Sequence, residues 1–223
     1  MVVSREQLAK IIDSTLVRAT ATKRDVEKLC KEAIKYSFGC VVVNPVYVKL
    51  ASFLLRNSNI KVCSTVGFPF GVALPEVKAL EAIKAVEDGA SELDMVINLS
   101  ALKSGDYELV KKDIAAVVDV KRLSSDLLVK VIIETSQLTT EEKITACKIA
   151  KEAGADFVKT STGLFGKGAT VEDVKLMRQV VGKAMGVKAA GGIRTYADAV
   201  VMIEAGANRI GTSTAAAIIE GAP

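Results

Sequence analysis

AGADFVKTS, residues 153–161, is a glycine, one small residue and then an apolar run that ends in lysine and small hydroxyls. The same order recurs as SFGCVVVN (37–44), DGASELDMVIN (88–98) and AGANRIGTS (205–213). Glycine suits the left-handed position just past a helix, so Gly39, Gly89, Gly154 and Gly206 are expected to stop helices and feed strands. Strands are predicted at 11–13, 40–43, 62–66, 93–97, 128–134, 156–160, 187–190 and 209–212. Between them lie helical patterns. Residues 23–36 place Val26, Leu29, Cys30, Ala33 and Ile34 on one stripe. Pro75 and Glu76 open a helix over 75–88, and Leu138-Thr139-Thr140-Glu141-Glu142 reads as a capped start for 140–152. Further helices are expected at 46–57, 106–123, 171–182, 195–205 and 214–220. Eight strands, each followed by a helix, predict an α/β fold, a single (β/α)8 TIM barrel over residues 1–223. An open doubly wound sheet is the alternative.

The bulk numbers agree with that architecture. A chain of 223 residues suits one barrel. Half of it is hydrophobic and only 4% aromatic, so Ala, Val, Ile and Leu do the packing, as buried parallel strands require. The net charge is +4, with basic and acidic residues interspersed, which argues against a nucleic-acid footprint. No apolar run reaches the roughly 18 residues of a membrane span, so no membrane partner is expected. The N-terminus, MVVSREQLAK, turns charged within its first residues, unlike a secretory signal. The four cysteines, Cys30, Cys40, Cys63 and Cys147, form no C-x-x-C pair. They read as small buried hydrophobes in a reducing compartment, and a cytoplasmic location follows as the expectation.

The count that narrows the chemistry most is zero histidines. It removes Ser-His-Asp and Cys-His catalysis, imidazole acid–base work and every His-ligated metal site. No metal and no cofactor are therefore expected. Barrel active sites lie at the C-terminal strand ends, so the informative residues are ionisable side chains inside apolar strands. Lys159 is next to last in DFVKT and is followed by Thr160, Ser161, Thr162 and Gly163. Lys188 is second in VKAA, just before Gly191 and Gly192. Both suit a functional role; a lysine snorkelling to water, or an ion-pair partner, is the alternative. Asp94 lies mid-strand in LDMVI, while Asn98 is nearer the strand tip, so position alone leaves Asp94 open. Lys130 lies early in its strand, on the stability side of the barrel, and Glu134 is expected at the end of the same strand. Two lysines and an aspartate without any histidine favour amine catalysis, because a lysine near another cation has its pKa depressed. The turns AAGGIRT (189–195) and GTSTAAA (211–217) follow the last two strands, where barrels usually hold phosphate; a tight turn with a helix cap is the alternative.

These residues, together with IIDSTL (11–16), STVGFPFG (64–71), ELDMVIN (92–98), KVIIET (130–135), GADFVKTSTG (154–163), VKAAGGIRT (187–195) and RIGTST (209–214), resemble the deoxyribose-phosphate aldolase family over almost the whole chain. The resemblance implies a lyase that reversibly cleaves 2-deoxy-D-ribose 5-phosphate to acetaldehyde and D-glyceraldehyde 3-phosphate, a step of deoxyribonucleotide breakdown. It assigns the Schiff base to Lys159, proton transfer to Asp94, and the role of second catalytic lysine to Lys188. It also implies phosphate contacts at Gly163, Gly191, Gly192, Ser213 and Thr214, with Asp13 and Thr15 at the sugar end. The expected partner is a small phosphorylated aldehyde, and a homo-oligomer is expected. The chain departs from the family pattern twice. Leu164 stands where some members carry a basic residue. The sequence ends Glu220-Gly221-Ala222-Pro223 where some members continue to a tyrosine that assists proton transfer, so that role is expected to be absent or filled by water. Two rivals are a Schiff-base aldolase for a larger keto-sugar phosphate and a non-catalytic phosphosugar-binding barrel.

Overall fold

Local capping chemistry sets most helix starts. Ser4 with Gln7, Thr22 with Asp25, Thr139 with Glu142 and Thr195 with Asp198 each form a reciprocal capping box. The structure, a computed structural model, describes residues 2–223. In chain order the elements are α1 (Arg5–Ile11), β1 (Ile12–Leu16), α2 (Lys23–Tyr36), β2 (Cys40–Val43), α3 (Val48–Leu55), β3 (Lys61–Val66), α4 (Pro75–Glu87) and β4 (Glu92–Val96). They continue as α5 (Leu99–Lys103), α6 (Tyr107–Val118), β5 (Leu128–Ile132), α7 (Thr140–Glu152), β6 (Phe157–Lys159), α8 (Val171–Val181), β7 (Gly186–Ala190), α9 (Tyr196–Glu204), β8 (Arg209–Thr212) and α10 (Ala215–Glu220). The strands pair in parallel with their sequence neighbours, and β8 returns to β1, closing the barrel. The open doubly wound alternative is thereby removed.

Several boundaries differ from expectation. β1 runs to Leu16 rather than stopping at residue 13, and α1 and α5 are additional to the expected helices. The helix expected over 46–57 splits into a 3-10 turn at Pro45–Tyr47 and α3, and that over 106–123 into α6 and a 3-10 turn at Asp119–Leu123. β5 ends at Ile132, and Glu134 lies beyond it in the left-handed region at φ 54°. Gly89, Gly154 and Gly206 do take positive φ after their helices. Gly39 does not: Ser37 supplies the left-handed turn after α2 at φ 56°. Gly39 is required for another reason, since a Cβ there would lie 2.1 Å from the Lys10 carbonyl oxygen.

Alternation along each strand divides the molecule into two environments. Outward side chains such as Val41, Leu93, Val131 and Val187 join inward helix residues such as Ala51 and Ile114 in one continuous apolar sleeve. Each fully buried Val or Leu there contributes roughly 1.5–3 kcal/mol. Inside the barrel the apolar cluster is much smaller, comprising Cys40, Val42 and Cys63 with Val17 packed against it. Charged side chains, among them Asp13, Glu92, Asp94, Lys130, Lys159 and Lys188, dominate the rest of the interior. Among the described residues no helix is long and apolar enough to cross a membrane.

Candidate active site

Register brings the ionisable residues together. Lys159 on β6 lies opposite Lys188 on β7, Lys188 opposite Arg209 on β8, and Asp94 on β4 opposite Lys130 on β5. Asp94 is the hub. Its Oδ2 accepts from Lys159 at 2.7 Å and from Lys188 at 2.6 Å, and its Oδ1 accepts from Lys130 at 2.9 Å and from the Cys63 thiol at 3.2 Å. A second tier lies deeper. Asp13 meets Lys188 at 2.6 Å and Arg209 at 2.5 Å, while Glu92 meets Lys130 at 2.6 Å and Arg209 at 3.2 Å. Asp13, Asp94, Lys130 and Lys188 are fully buried, and Lys159 is only 3% exposed.

Three carboxylates, Asp13, Glu92 and Asp94, thus face four cationic side chains, Lys130, Lys159, Lys188 and Arg209. Neutrality in a desolvated interior is reached if one cation gives up its proton. Of the four, Lys159 alone has its pKa lowered from the ordinary value. Burial lowers its pKa, and the Lys188 ammonium reinforces the effect against the pull of Asp94. Burial also opposes charge on Lys188, yet Asp13 and Asp94 together raise its pKa above the ordinary lysine value. Lys130 is likewise raised well above it, its burial outweighed by Asp94, Cys63, Glu92 and Asp13. Burial alone would raise Asp94, but Lys130, Lys159 and Lys188 hold it well below the usual carboxylate range. A neutral Lys159 can still donate an N–H to Asp94 while its lone pair is free for a carbonyl.

Gly211 makes room for this arrangement. A Cβ on it would lie 2.9 Å from the Ala190 Cβ and 3.1 Å from Cε of Lys188. Asp13, Cys40 and Glu92 bring three potential metal-ligand atoms within 4.8 Å of one another. They do not suit a cation: Arg209, Lys130 and Lys188 already neutralise the carboxylates, and burial keeps the Cys40 thiol protonated.

Above the charged tiers, the C-terminal ends of β6, β7, β8 and β1 surround a cavity of about 330 Å3. Lys159 forms part of its wall, as do Thr15, Gly163, Gly191, Gly192 and Ser213. The backbone N–H groups of Gly163, Gly192 and Ser213 meet no protein acceptor among the described residues. Asp13 and Thr214 do not reach the cavity. Asp13 is locked below it by Lys188 and Arg209, and the Thr214 hydroxyl lies 3.2 Å from that of Thr212 at the start of α10. The Thr15 hydroxyl donates to the Asp13 carbonyl at 2.9 Å. Asn98, nearer the strand tip, caps α5 instead, accepting from the Ala101 N–H at 3.0 Å.

The sequence profile of the DeoC/LacD family of aldolases matches residues 8–220. The chain belongs to this family. Deoxyribose-phosphate aldolase of Thermococcus kodakarensis is 61% identical over 222 residues, covering 99% of both chains. That of Methanothermobacter thermautotrophicus is 59% identical over 219 residues, covering 98% of this chain and 96% of the relative. The solved tetrameric structure of the deoxyribose phosphate aldolase of Aeropyrum pernix, 41% identical, matches with a TM-score of 0.91 over 97% of this chain and 91% of that one.

In this aldolase three groups escaped the sequence reading. Lys130, assigned to the stability side, contacts Asp94 directly. Arg18 and Arg194 line the cavity, two guanidinium groups from the loops after β1 and β7. Arg18 also pairs with Asp25 at 2.6 Å. The signal for both was present in DSTLVRA and GGIRT, where a basic residue follows closely after a barrel strand.

Proposed function

We propose that this aldolase acts through a Schiff base on Lys159 and cleaves 2-deoxy-D-ribose 5-phosphate to acetaldehyde and D-glyceraldehyde 3-phosphate, as the names of its relatives suggest. The observation that carries the mechanism is the sharing of Asp94 Oδ2 by Lys159 and Lys188. It supplies one lysine disposed to be neutral beside one held protonated.

The steps balance as follows. The Lys159 amine adds to C1 of the open-chain aldehyde, and the carbinolamine loses water to give a protonated imine. The C2–C3 bond breaks, its electrons flow into the iminium, and the C3 hydroxyl gives up its proton as glyceraldehyde 3-phosphate leaves. The remaining enamine takes a proton at C2, and hydrolysis releases acetaldehyde and free Lys159. Asp94 and Lys188 are the groups placed to move these protons. Each well-placed transfer contributes on the order of a hundredfold or more. The free N–H groups of Gly163, Gly192 and Ser213, with Arg18 and Arg194, suit the phosphate. They would take the place of a basic residue at Leu164. Within the site, Gly191 and Thr15 shape the wall, and Asp13 acts from below by holding Lys188. Thr214 then supports the Ser213 turn and makes no direct contact.

The mechanism needs no metal or cofactor. A cytoplasmic location, a place in deoxyribonucleotide breakdown and a homo-oligomeric assembly complete the proposal. The aldolase from Aeropyrum pernix, a tetramer, supports the last point. Incubation with deoxyribose 5-phosphate and a coupled assay for acetaldehyde tests the reading. Release of a keto compound from a larger sugar phosphate, with no acetaldehyde, would replace it.

A further inference from the structure

Glu134 carries three disadvantages at once. Its backbone is in the left-handed region at φ 54°, where a residue with a Cβ is strained. Its side chain is fully buried. Its Oε1 has no hydrogen-bond partner, and among the described residues the buried hydroxyls of Thr135, beside it in sequence, and of Ser161, beside its partner Thr162, share that condition. A carboxylate retained under such conditions is poorly explained by stability.

What Glu134 does hold is the turn that follows Lys159. Its Oε2 accepts from the Thr162 N–H at 2.9 Å and from the Thr162 hydroxyl at 2.5 Å. That hydroxyl in turn accepts from the Leu164 N–H at 3.2 Å. One carboxylate oxygen therefore fixes both ends of the segment Thr162–Leu164, and Gly163, at φ 82°, sits between them. With the Thr162 and Leu164 N–H groups consumed in this way, the Gly163 N–H is left without a protein acceptor, and Gly163 lines the cavity beside Lys159. The grip is anchored to the barrel, because Ile133 donates to the Lys159 carbonyl at 3.0 Å and Thr135 to that of Thr160 at 2.9 Å. Glu134 therefore ties the placement of the nucleophile's strand to the placement of Gly163.

We propose, resting on the phosphosugar specificity proposed above, that Glu134 is a specificity-determining positioning residue. By clamping Thr162 it aims the Gly163 N–H at the anionic end of the substrate, so that phosphate binding and the alignment of the aldehyde over Lys159 are set by one side chain. Glu134 does not touch the reacting atoms.

The test uses Glu134→Gly, which removes the carboxylate while tolerating φ 54° without strain. Glu134→Gln is the conservative partner, since its amide oxygen can still accept both Thr162 bonds. kcat/KM is measured for deoxyribose 5-phosphate and for unphosphorylated deoxyribose. In Glu134→Gly the ratio of the two is expected to fall by about tenfold or more, the loss of a charge-assisted contact. The larger loss falls on the phosphorylated substrate, and Glu134→Gln restores most of the ratio. An equal fall for both substrates, or no change in the ratio, overturns the proposal. If Glu134→Gly does not fold, Thr162→Val cuts the hydroxyl half of the clamp and must shift the ratio in the same direction; an unchanged ratio there also overturns it. A wild-type enzyme that does not favour the phosphorylated sugar would instead sink the specificity assignment on which the proposal rests, and the two failures are thus separable.

Discussion

Lys159 and Lys188 face each other across the β6–β7 ladder and donate to the same oxygen, Asp94 Oδ2, at 2.7 and 2.6 Å. Two lysines on one carboxylate oxygen cannot both be stabilised as ammonium ions equally well. Lys188 has Asp13 as a second partner, and Lys159 does not. The asymmetry selects the nucleophile.

Removing the second cation should therefore move the pH profile. A lysine must be neutral to attack, so kcat/KM rises as pH climbs through the lowered pKa of Lys159. Lys188→Met deletes a charge that disfavours the Lys159 ammonium and leaves Asp94 free to favour it. The rising limb is expected to shift to more alkaline pH. If only the overall rate falls and the profile stays in place, Lys188 is a proton carrier and does not tune Lys159.

Borohydride added with substrate should inactivate the enzyme and leave its mass label on Lys159, and prior treatment with EDTA should change neither trapping nor turnover. Peptide mapping reads the first outcome. A label on Lys130 or Lys188, or activity restored to a chelated sample by a divalent ion, would refute the mechanism.

Asp94→Asn should separate bond formation from proton transfer. Trapping on Lys159 is expected to persist while turnover drops by about a hundredfold or more. Stability should change as well, by about 3 kcal/mol at neutral pH, because buried cations lose their shared partner. The pKa of Asp94 is depressed on folding, so its contribution is full above the unfolded value of about 3.9 and is lost as pH falls through the folded value. The gap between wild type and variant in urea midpoints should accordingly be constant above that range and shrink below it. A gap that widens toward acid would contradict the charge assignment.

Ser213→Asp places a like charge on the cavity wall among free N–H groups. A roughly 100-fold loss in kcat/KM is expected for deoxyribose 5-phosphate, with a smaller loss for deoxyribose. Normal handling of the phosphorylated sugar by this variant would move the phosphate site elsewhere.

Gly211→Ala tests whether space, as well as charge, positions Lys188. Its methyl would come within 3.1 Å of the Lys188 Cε, so the lysine must shift. Overpacking of this kind costs about 1–3 kcal/mol. Turnover is expected to fall further than the modest drop in Tm would explain, with the Lys159 trapping reaction retained. Wild-type turnover in Gly211→Ala would show that the barrel interior is more yielding than the distances imply.

The features legible in the sequence were those encoded within a few residues. The capped start of the helix at 140–152, the helix stops at Gly89, Gly154 and Gly206, and Lys159 at the end of an apolar strand all announce themselves locally. The features missed depend on partners far away in the chain. Lys130 looks remote from the site until β4 and β5 are placed in register, which sets it beside Asp94. The pairing of Asp13 with Arg209, 196 residues later, likewise leaves no local sign. Ser37 and Glu134 adopt positive φ against their own preference, and Gly39 is required not for a turn but because the Lys10 carbonyl occupies the space a side chain would need. Such choices are made by the assembled barrel and leave no local trace.

The division between an aliphatic sleeve outside the strands and a charged lattice within them has an evolutionary corollary. The sleeve is built from many interchangeable contacts, so it can drift by small steps as a lineage adapts to heat or cold. The lattice of Asp13, Glu92, Asp94, Lys130, Lys188 and Arg209 has no such slack: each member neutralises at least one other, and a lone replacement strands a buried charge. Descendants of this barrel that acquire a different chemistry should therefore exchange interior residues in compensating groups, while those that keep the chemistry rewrite their exteriors freely.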